Sequence, residues 1–233
     1  MNNRSFLTGN QLKILALISM TIDHIGVQLL PQLQILRIIG RLAFPIFAFM
    51  IAEGCRYTKN RRKYLLLMAG MALILQIVYF IAMKSLYQCV FVTFSLGICL
   101  IYTFDYMCNK RDFFSSALFA VCFAAVYFIC SCLPDILNNT DFEIDYGFFG
   151  VLLPLYVYAA KTHTQKLIFM TVGLVLLAIN NGGNQWFSLI TLIPLALYNG
   201  KRGKMNMKYL FYIYYPVHLV IIYIISFLVE TAY

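Results

Sequence analysis

Apolar stretches separated by short polar breaks divide the chain into about nine spans. They run roughly over 12–30, 34–56, 64–84, 88–108, 113–133, 146–160, 166–181, 185–199 and 209–228. A helix needs about 20 apolar residues to cross a bilayer, and the first five spans and the last reach that length. The sixth, seventh and eighth are about 15 or 16 residues each, which predicts tilted pairs, broken helices or partly re-entrant segments. No repeat of fixed period and no low-complexity tract interrupts the pattern. The expectation is an all-α, polytopic integral membrane bundle, a single transmembrane domain over 1–233 with no room for a soluble domain. The first ten residues are polar, and the first apolar run holds Asp23-His24 instead of ending in small residues. That predicts a retained first helix, not a cleaved signal peptide.

Composition agrees. The chain is 62% apolar and 12% charged, with a mean hydropathy of +0.79, whereas a soluble domain carries about a quarter charged residues. The net charge of +9 would suggest nucleic acid in a soluble protein, but its placement gives another account. With the N-terminus in the cytoplasm, the inner side takes all of the 18 basic residues except Arg37, Arg41 and Lys84, from Arg4 and Lys13 to Lys208, and the acidic loop Asp135 to Asp145 falls outside. The positive-inside rule therefore predicts N-in and C-out, with the cations as topology anchors that also touch anionic lipid. No nucleic-acid partner is expected. Seven cysteines without a CxxC spacing predict neither a disulfide framework nor a metal site. Trp186 and Tyr198 read as interface aromatics.

Against this background the polar residues inside the spans stand out, because ionisable groups in hydrocarbon are costly. Asp23 and His24 lie deep in the first span. Lys13 is 11 residues before His24, three turns down the same helix face and about 16 Å away. In the second span Arg37 and Arg41, at i and i+4, share a face at a depth similar to His24, with Asp23 as their nearest partner. Two readings stay open: an ion pair joining two helices, or a buried catalytic or ion-conducting centre. Pro45 predicts a kink one turn below Arg41. Glu53 is expected to pair with Arg56 or Arg61, or to belong to a site. The run from Arg56 to Lys63 is either an ordinary inner loop or a grip for a polyphosphate such as the adenosine end of coenzyme A. His218, among Tyr212, Tyr214, Tyr215 and Tyr223, is expected near mid-membrane in a polar groove. Asp145 is either a lip residue or faces the same cavity, and His163 is expected in a solvated inner loop.

Four segments, Lys13…Ile22-Asp23-His24-Ile25-Gly26, Leu36-Arg37…Arg41-Leu42-Ala43-Phe44-Pro45-Ile46-Phe47, Glu53-Gly54…Thr58…Tyr64 and Tyr214-Tyr215-Pro216-Val217-His218, together resemble the TraX family of F-pilin acetylases. The Lys13-to-His24 spacing is also similar to that of acyltransferase-3-type membrane acyltransferases. The resemblance implies transfer of an acyl group from cytoplasmic acetyl-coenzyme A, or another acyl-coenzyme A, to the amino terminus of a pilin or other secreted or membrane peptide, in the bacterial inner membrane and without a metal. A pantetheine arm would have to reach about 15 to 20 Å inward, close to the Lys13–His24 distance. On this reading His24 is the general base. Asp23 fixes its tautomer or holds the arginines, and Arg41 or Arg37 stabilises the oxyanion or orients the acceptor. His218 and Tyr215 stand next to them, with Tyr215 also counted on the donor side. Lys13, Arg61, Arg62, Lys63 and Glu53 complete the donor site. Relatives often carry an arginine shortly after the Tyr64 segment, where this chain has Leu65 to Met68. The competing readings are a small proton- or anion-coupled transporter or flippase, a glycan O-acetyltransferase, and a non-catalytic assembly protein.

Overall fold

Hydrocarbon offers no partner to a backbone N–H or C=O, so an apolar run must close its hydrogen bonds within itself. The computed structural model describes residues 5–204 and 210–232, and all regular structure among them is helical. Arg4, Lys208 and Tyr209, named above as anchors or as the start of the last span, lie outside the described residues. Among the described residues, six stretches are long and apolar enough to cross a membrane: Gln34–Tyr57, Arg61–Met83, Val90–Lys110, Phe113–Ile136, His163–Asn181 and Tyr212–Val229, with Gly147–Ala159 shorter. The protein is a multi-pass membrane protein. About nine spans are expected from the sequence, and six meet the length and hydropathy of a crossing among the described residues; two local departures from the expected runs matter for the site.

The second apolar run is two helices. α1 (Gly9–Gln28) is followed by α2 (Gln34–Gly40) and α3 (Ala43–Tyr57), and the break falls at Arg41-Leu42. The kink expected below Arg41 is therefore at Arg41 itself. Pro45 explains it: in a continuous helix its ring would collide with the carbonyl of residue 41, whereas in the first turn of a new helix it is tolerated. The eighth run is not an α-helix. After Gly182 and Gly183, both at positive φ (65° and 51°), the chain forms a nine-residue 3-10 helix, Gly183–Thr191, and only then a short α-helix, Leu192–Ala196. Pro194 opposes α-geometry at residue 190 in the same way.

The remaining helices are α4 (Arg61–Met83), α5 (Val90–Lys110), α6 (Phe113–Tyr127) with a π-turn at Phe128–Cys132, α7 (Leu133–Ile136), α8 (Gly147–Ala159), α9 (His163–Asn181), α10 (the Leu192–Ala196 helix) and α11 (Leu210–Ala232). They form two compact units, one from Met1–Met50 with Asn181–Tyr233, the other Ile51–Asn180.

In the first unit, α1 packs against α2 and α11. Thr8 caps α1 in a capping box with Gln11. The chain after α10 runs beside that entry: Leu7 N–H donates to the Leu197 carbonyl (2.9 Å), Gly9 N–H to Lys201 (2.8 Å) and Asn10 N–H to Arg202 (3.0 Å). Tyr198, expected at the membrane interface, is buried edge-on against Phe49.

The second unit sorts its charges between two ends. Arg61 pairs with Asp105 at 2.6 Å, and Arg56 donates to the Tyr158 and Ala160 carbonyls at 2.7 and 2.9 Å. At the other end Gln88 and Glu143–Asp145 pair through their backbones, and the Tyr87 hydroxyl donates to Asp145 (2.8 Å). Burial and the Asp145 carboxylate raise the Tyr87 phenol well above its ordinary range. His163 opens α9 and is half-buried; it is not a solvated loop residue.

Glycine sets the closest approach in the first unit. A Cβ on Gly40 would fall inside the Asp23 carboxylate, and one on Gly26 would meet Leu36. Gly40→Ala is expected to lower stability by about 1–3 kcal/mol through overpacking, read as a lower melting temperature in detergent. Gly70→Ala on α4, where a Cβ meets nothing, should be neutral or slightly stabilising.

Candidate functional site

Consecutive helical residues point about 100° apart, so Asp23 and His24 on α1 face different neighbours. Asp23 faces α2. Arg37 Nη1 lies 2.8 Å from Asp23 Oδ2, and Arg41 Nη2 donates to both carboxylate oxygens at 3.0 and 3.1 Å. Arg41 is fixed further by Nε–H to the Arg37 carbonyl (3.3 Å) and Nη1–H to Gln185 Oε1 (3.5 Å). Asp23 therefore holds the arginines and does not touch His24 among the described contacts.

His24 faces α11. Its Nδ1 is 2.7 Å from His218 Nε2, and His218 Nδ1 is 2.8 Å from the Tyr214 carbonyl oxygen. A carbonyl only accepts, so His218 Nδ1 carries the proton. In neutral His218 the Nε2 is then the acceptor, and His24 Nδ1–H is the donor to it. The remaining nitrogen, His24 Nε2, is left with an unprotonated lone pair. The chain of three groups thus sets the tautomer of His24 without Asp23.

The rings are held by aromatic packing. Tyr214 stacks on His218 (centroids 5.1 Å, interplanar 15°), and Tyr215 stands edge-on to both imidazoles at 6.3 and 5.5 Å. Thr21 donates to the Leu17 carbonyl (2.9 Å), so in its 2.6 Å contact with Tyr214 the tyrosine hydroxyl is the donor. Beside this array lies an open groove of about 290 Å³, lined by Thr21, Ile25, Tyr214, His218 and further isoleucines of α11. It is almost wholly apolar apart from the ring edges and hydroxyls at its base.

The first unit therefore brings together Asp23, Arg37 and Arg41 as one cluster and His24, His218 and Tyr215 as another. Lys13 is half-buried on α1, in the turn after the stretch that pairs with Lys201 and Arg202. The other expected donor residues fall in the second unit. Glu53 is buried (4% exposed) and pairs with Lys166 at 2.5 Å, not with Arg56 or Arg61. Lys166 comes from the start of α9, 113 positions away. Arg61 is drawn to Asp105 and lies over the Tyr102 ring, so part of its donor capacity is taken. Arg62 and Lys63 are exposed in the first turn of α4. Asp145 accepts from Tyr87 and belongs to the acidic end of that unit. Four residues went unremarked as site residues in the sequence: Thr21, Gln185, Lys166 and Asp105. Gln185 and Asp105 carried a usable signal there, as polar side chains in apolar runs.

The family model described as TraX protein matches residues 8–226. The chain is similar to the probable fimbrial assembly protein FimC, serogroup H1, of Dichelobacter nodosus, at 26% identity over 91% of this chain and 93% of that one. It is also similar to the uncharacterized protein RP591 of Rickettsia prowazekii (strain Madrid E), at 32% identity over 81% of this chain and 68% of that one. No solved structure matches.

Removing Asp23 leaves two guanidiniums facing each other with no shared carboxylate. Asp23→Ala should cost about 3–5 kcal/mol, whereas an Asp23→Ala/Arg37→Leu/Arg41→Met variant should recover much of the loss. Thermal melts of the purified variants check the sign of that difference.

Proposed function

The chain belongs to the TraX family, and from that premise we propose that it is a membrane-embedded acyltransferase. It takes an acetyl group from cytoplasmic acetyl-coenzyme A and places it on the amino terminus of a pilin-like or other secreted peptide. The observation that carries this reading is the Tyr214–His218–His24 chain, which leaves a ring nitrogen with its lone pair in a fixed direction beside two anchored arginines. The fimbrial assembly role in the name of the Dichelobacter nodosus relative supports a pilin-like acceptor. The positive-inside pattern supports a cytoplasmic N-terminus in the bacterial inner membrane.

In the reaction the acceptor nitrogen attacks the thioester carbonyl while His24 Nε2 takes its proton. The new C–N bond forms, the C–S bond breaks, and the leaving thiolate recovers the proton from His24. His218 keeps the imidazolium oriented through Nδ1–H of His24, and the Tyr214 carbonyl faces the charge that develops on the pair. Arg37 contacts Asp23 through one nitrogen and its side chain is 33% exposed. Of the two arginines it is the one with N–H groups left to meet the oxyanion. Arg41 is bonded to Asp23, Gln185 and the Arg37 carbonyl and holds the geometry.

Purified protein in detergent, given radiolabelled acetyl-coenzyme A and a pilin-like peptide with a free amino terminus, should label the peptide. His24→Ala should lower the rate about 10²–10⁴-fold with normal insertion. His218→Ala should lower it less, and His218→Gln should restore part of the rate through its amide oxygen. Full activity of His24→Ala would overturn the mechanism. Gradient-dependent solute flux without any acyl donor would favour transport instead.

A further inference from the structure

Gln185, Ser188 and Thr191 each keep a buried polar atom unpaired, in a row along the 3-10 helix where every third side chain eclipses. That row adjoins no cavity, so no partner reaches it. The space a partner can enter is the groove of about 290 Å³ between α1 and α11. Thr21, Ile25 and Leu29 line it from α1, and Val217, Ile221 and Ile225 line it from α11. Residues four apart share a helix face, so each wall is a single stripe. Thr21 meets Tyr214 and His24 meets His218, so the two helices run the same way. The groove therefore starts at the Thr21–Tyr214 contact and follows both helices toward their C-terminal ends for about 12 Å, the rise of eight helical residues.

Its polar end is one-sided. The Thr21 hydroxyl proton goes to the Leu17 carbonyl, and the Tyr214 hydroxyl proton goes to Thr21. His218 spends one ring nitrogen on the Tyr214 carbonyl and the other on His24. The lining side chains at this end therefore offer lone pairs on two hydroxyl oxygens and no spare N–H or O–H. A head group that is a carbonyl, an ester or a phosphate finds no donor there, whereas an amine finds acceptors.

The rest of the groove excludes an extended peptide. No charged side chain lines it, and walls of isoleucine, leucine and valine have nothing to pair with a backbone. An extended segment would leave its N–H and C=O groups open against them. A helix closes its own and exposes only the first N–H groups at its N-terminus, which are donors, as the polar end requires.

We infer that the groove between α1 and α11 seats an apolar helix of the acceptor, its amino terminus at the Thr21–Tyr214 end and about two turns along the aliphatic walls. This names a binding site and a required conformation, and it rests on the acyltransferase reading above. Apolar walls disfavour the ammonium form, and the positive end of the seated helix acts in the same direction. The amine is thus kept in the neutral form that attack requires. His24 is three residues beyond Thr21 on α1, about 4.5 Å along the axis, so the seated terminus lies one turn from the base.

The test uses the full-length protein in nanodiscs and three probes. They are an apolar helical peptide of about 20 residues with a free amino terminus, the same peptide lacking the amino group, and a Ser/Gly-rich peptide with the same first residue. Binding is measured without acyl donor, above that to empty nanodiscs. The free-amine apolar peptide should bind about tenfold more tightly than either of the others. Ile221 and Ile225 are 51% and 42% exposed, so bulk can be added there without disturbing the interior. Ile221→Trp/Ile225→Trp should weaken the apolar peptide about tenfold and leave the melting temperature unchanged. Thr21→Val/Tyr214→Phe should erase the preference for the amine and keep the preference for the apolar chain, and Thr21→Ser should keep both. Equal binding of the apolar and Ser/Gly-rich peptides overturns the inference. Unchanged binding in the tryptophan variant also overturns it and assigns the groove to lipid. An amine preference that survives Thr21→Val/Tyr214→Phe overturns the placement of the terminus. With radiolabelled acetyl-coenzyme A, the seated peptide should be labelled. Alaninamide, an amine with no chain to seat, should be labelled at a rate that the tryptophans leave unchanged. Groove-dependent binding with neither amine labelled overturns the acyltransferase reading and leaves the seat standing.

Discussion

A carboxylate shared by two guanidiniums where α1 meets α2 is the interaction on which the first unit depends. None of the three groups is tolerable alone in hydrocarbon, and their mutual attraction is strong where the dielectric is low. Satisfying Asp23 with both Arg37 and Arg41 requires α2 to approach α1 closely, which Gly26 and Gly40 permit. It also requires Arg41 to sit where α2 ends, which Pro45 enforces from four residues downstream. Once Asp23 is turned toward α2, the helical step of about 100° aims His24 at α11. The position of His24 thus follows from the pairing of its neighbour.

Much of this was legible in the sequence because it is local. A polar residue in an apolar run is conspicuous, and helical spacing says which such residues share a face; Arg37 with Arg41 and Asp23 with the second span follow from that alone. What could not be read is of two kinds. Some partners are distant in the chain, such as Lys166 for Glu53 and Asp105 for Arg61, and no spacing rule selects them among several cations and carboxylates. Other features depend on backbone geometry that apolar composition does not encode. The stretch 185–199 is as apolar as a helix, yet two glycines at its start and Pro194 within it make a 3-10 segment, and only in that geometry does the Gln-x-x-Ser-x-x-Thr spacing become a row. The tautomer of His24 is of the second kind too, since it is decided by a backbone carbonyl on another helix.

The polar groups of the first unit are handled in three different ways, and the contrast separates structure from chemistry. Asp23, Arg37 and Arg41 satisfy one another directly. His218 is saturated on both nitrogens, one by Tyr214 and one by His24. His24 and the row on the 3-10 helix are satisfied only in part, and they lie to either side of the arginine cluster in the chain of contacts, His24 through its neighbour Asp23 and Gln185 through Arg41. A bundle stabilised for its own sake would close these groups as it closed the others.

The same comparison decides between the two candidate bases. Asp23 receives three N–H contacts within 3.1 Å from two arginines, so most of its lone pairs are committed and a proton on it would weaken its pairing with both guanidiniums. His24 has one nitrogen committed as a donor and the other uncommitted among the described contacts. Its committed nitrogen leads to a second imidazole and then to a carbonyl, so the positive charge created by taking a proton spreads toward an acceptor and away from the arginines. A base must gain a proton without dismantling its own support, and of the two neighbours on α1 only His24 is placed to do so.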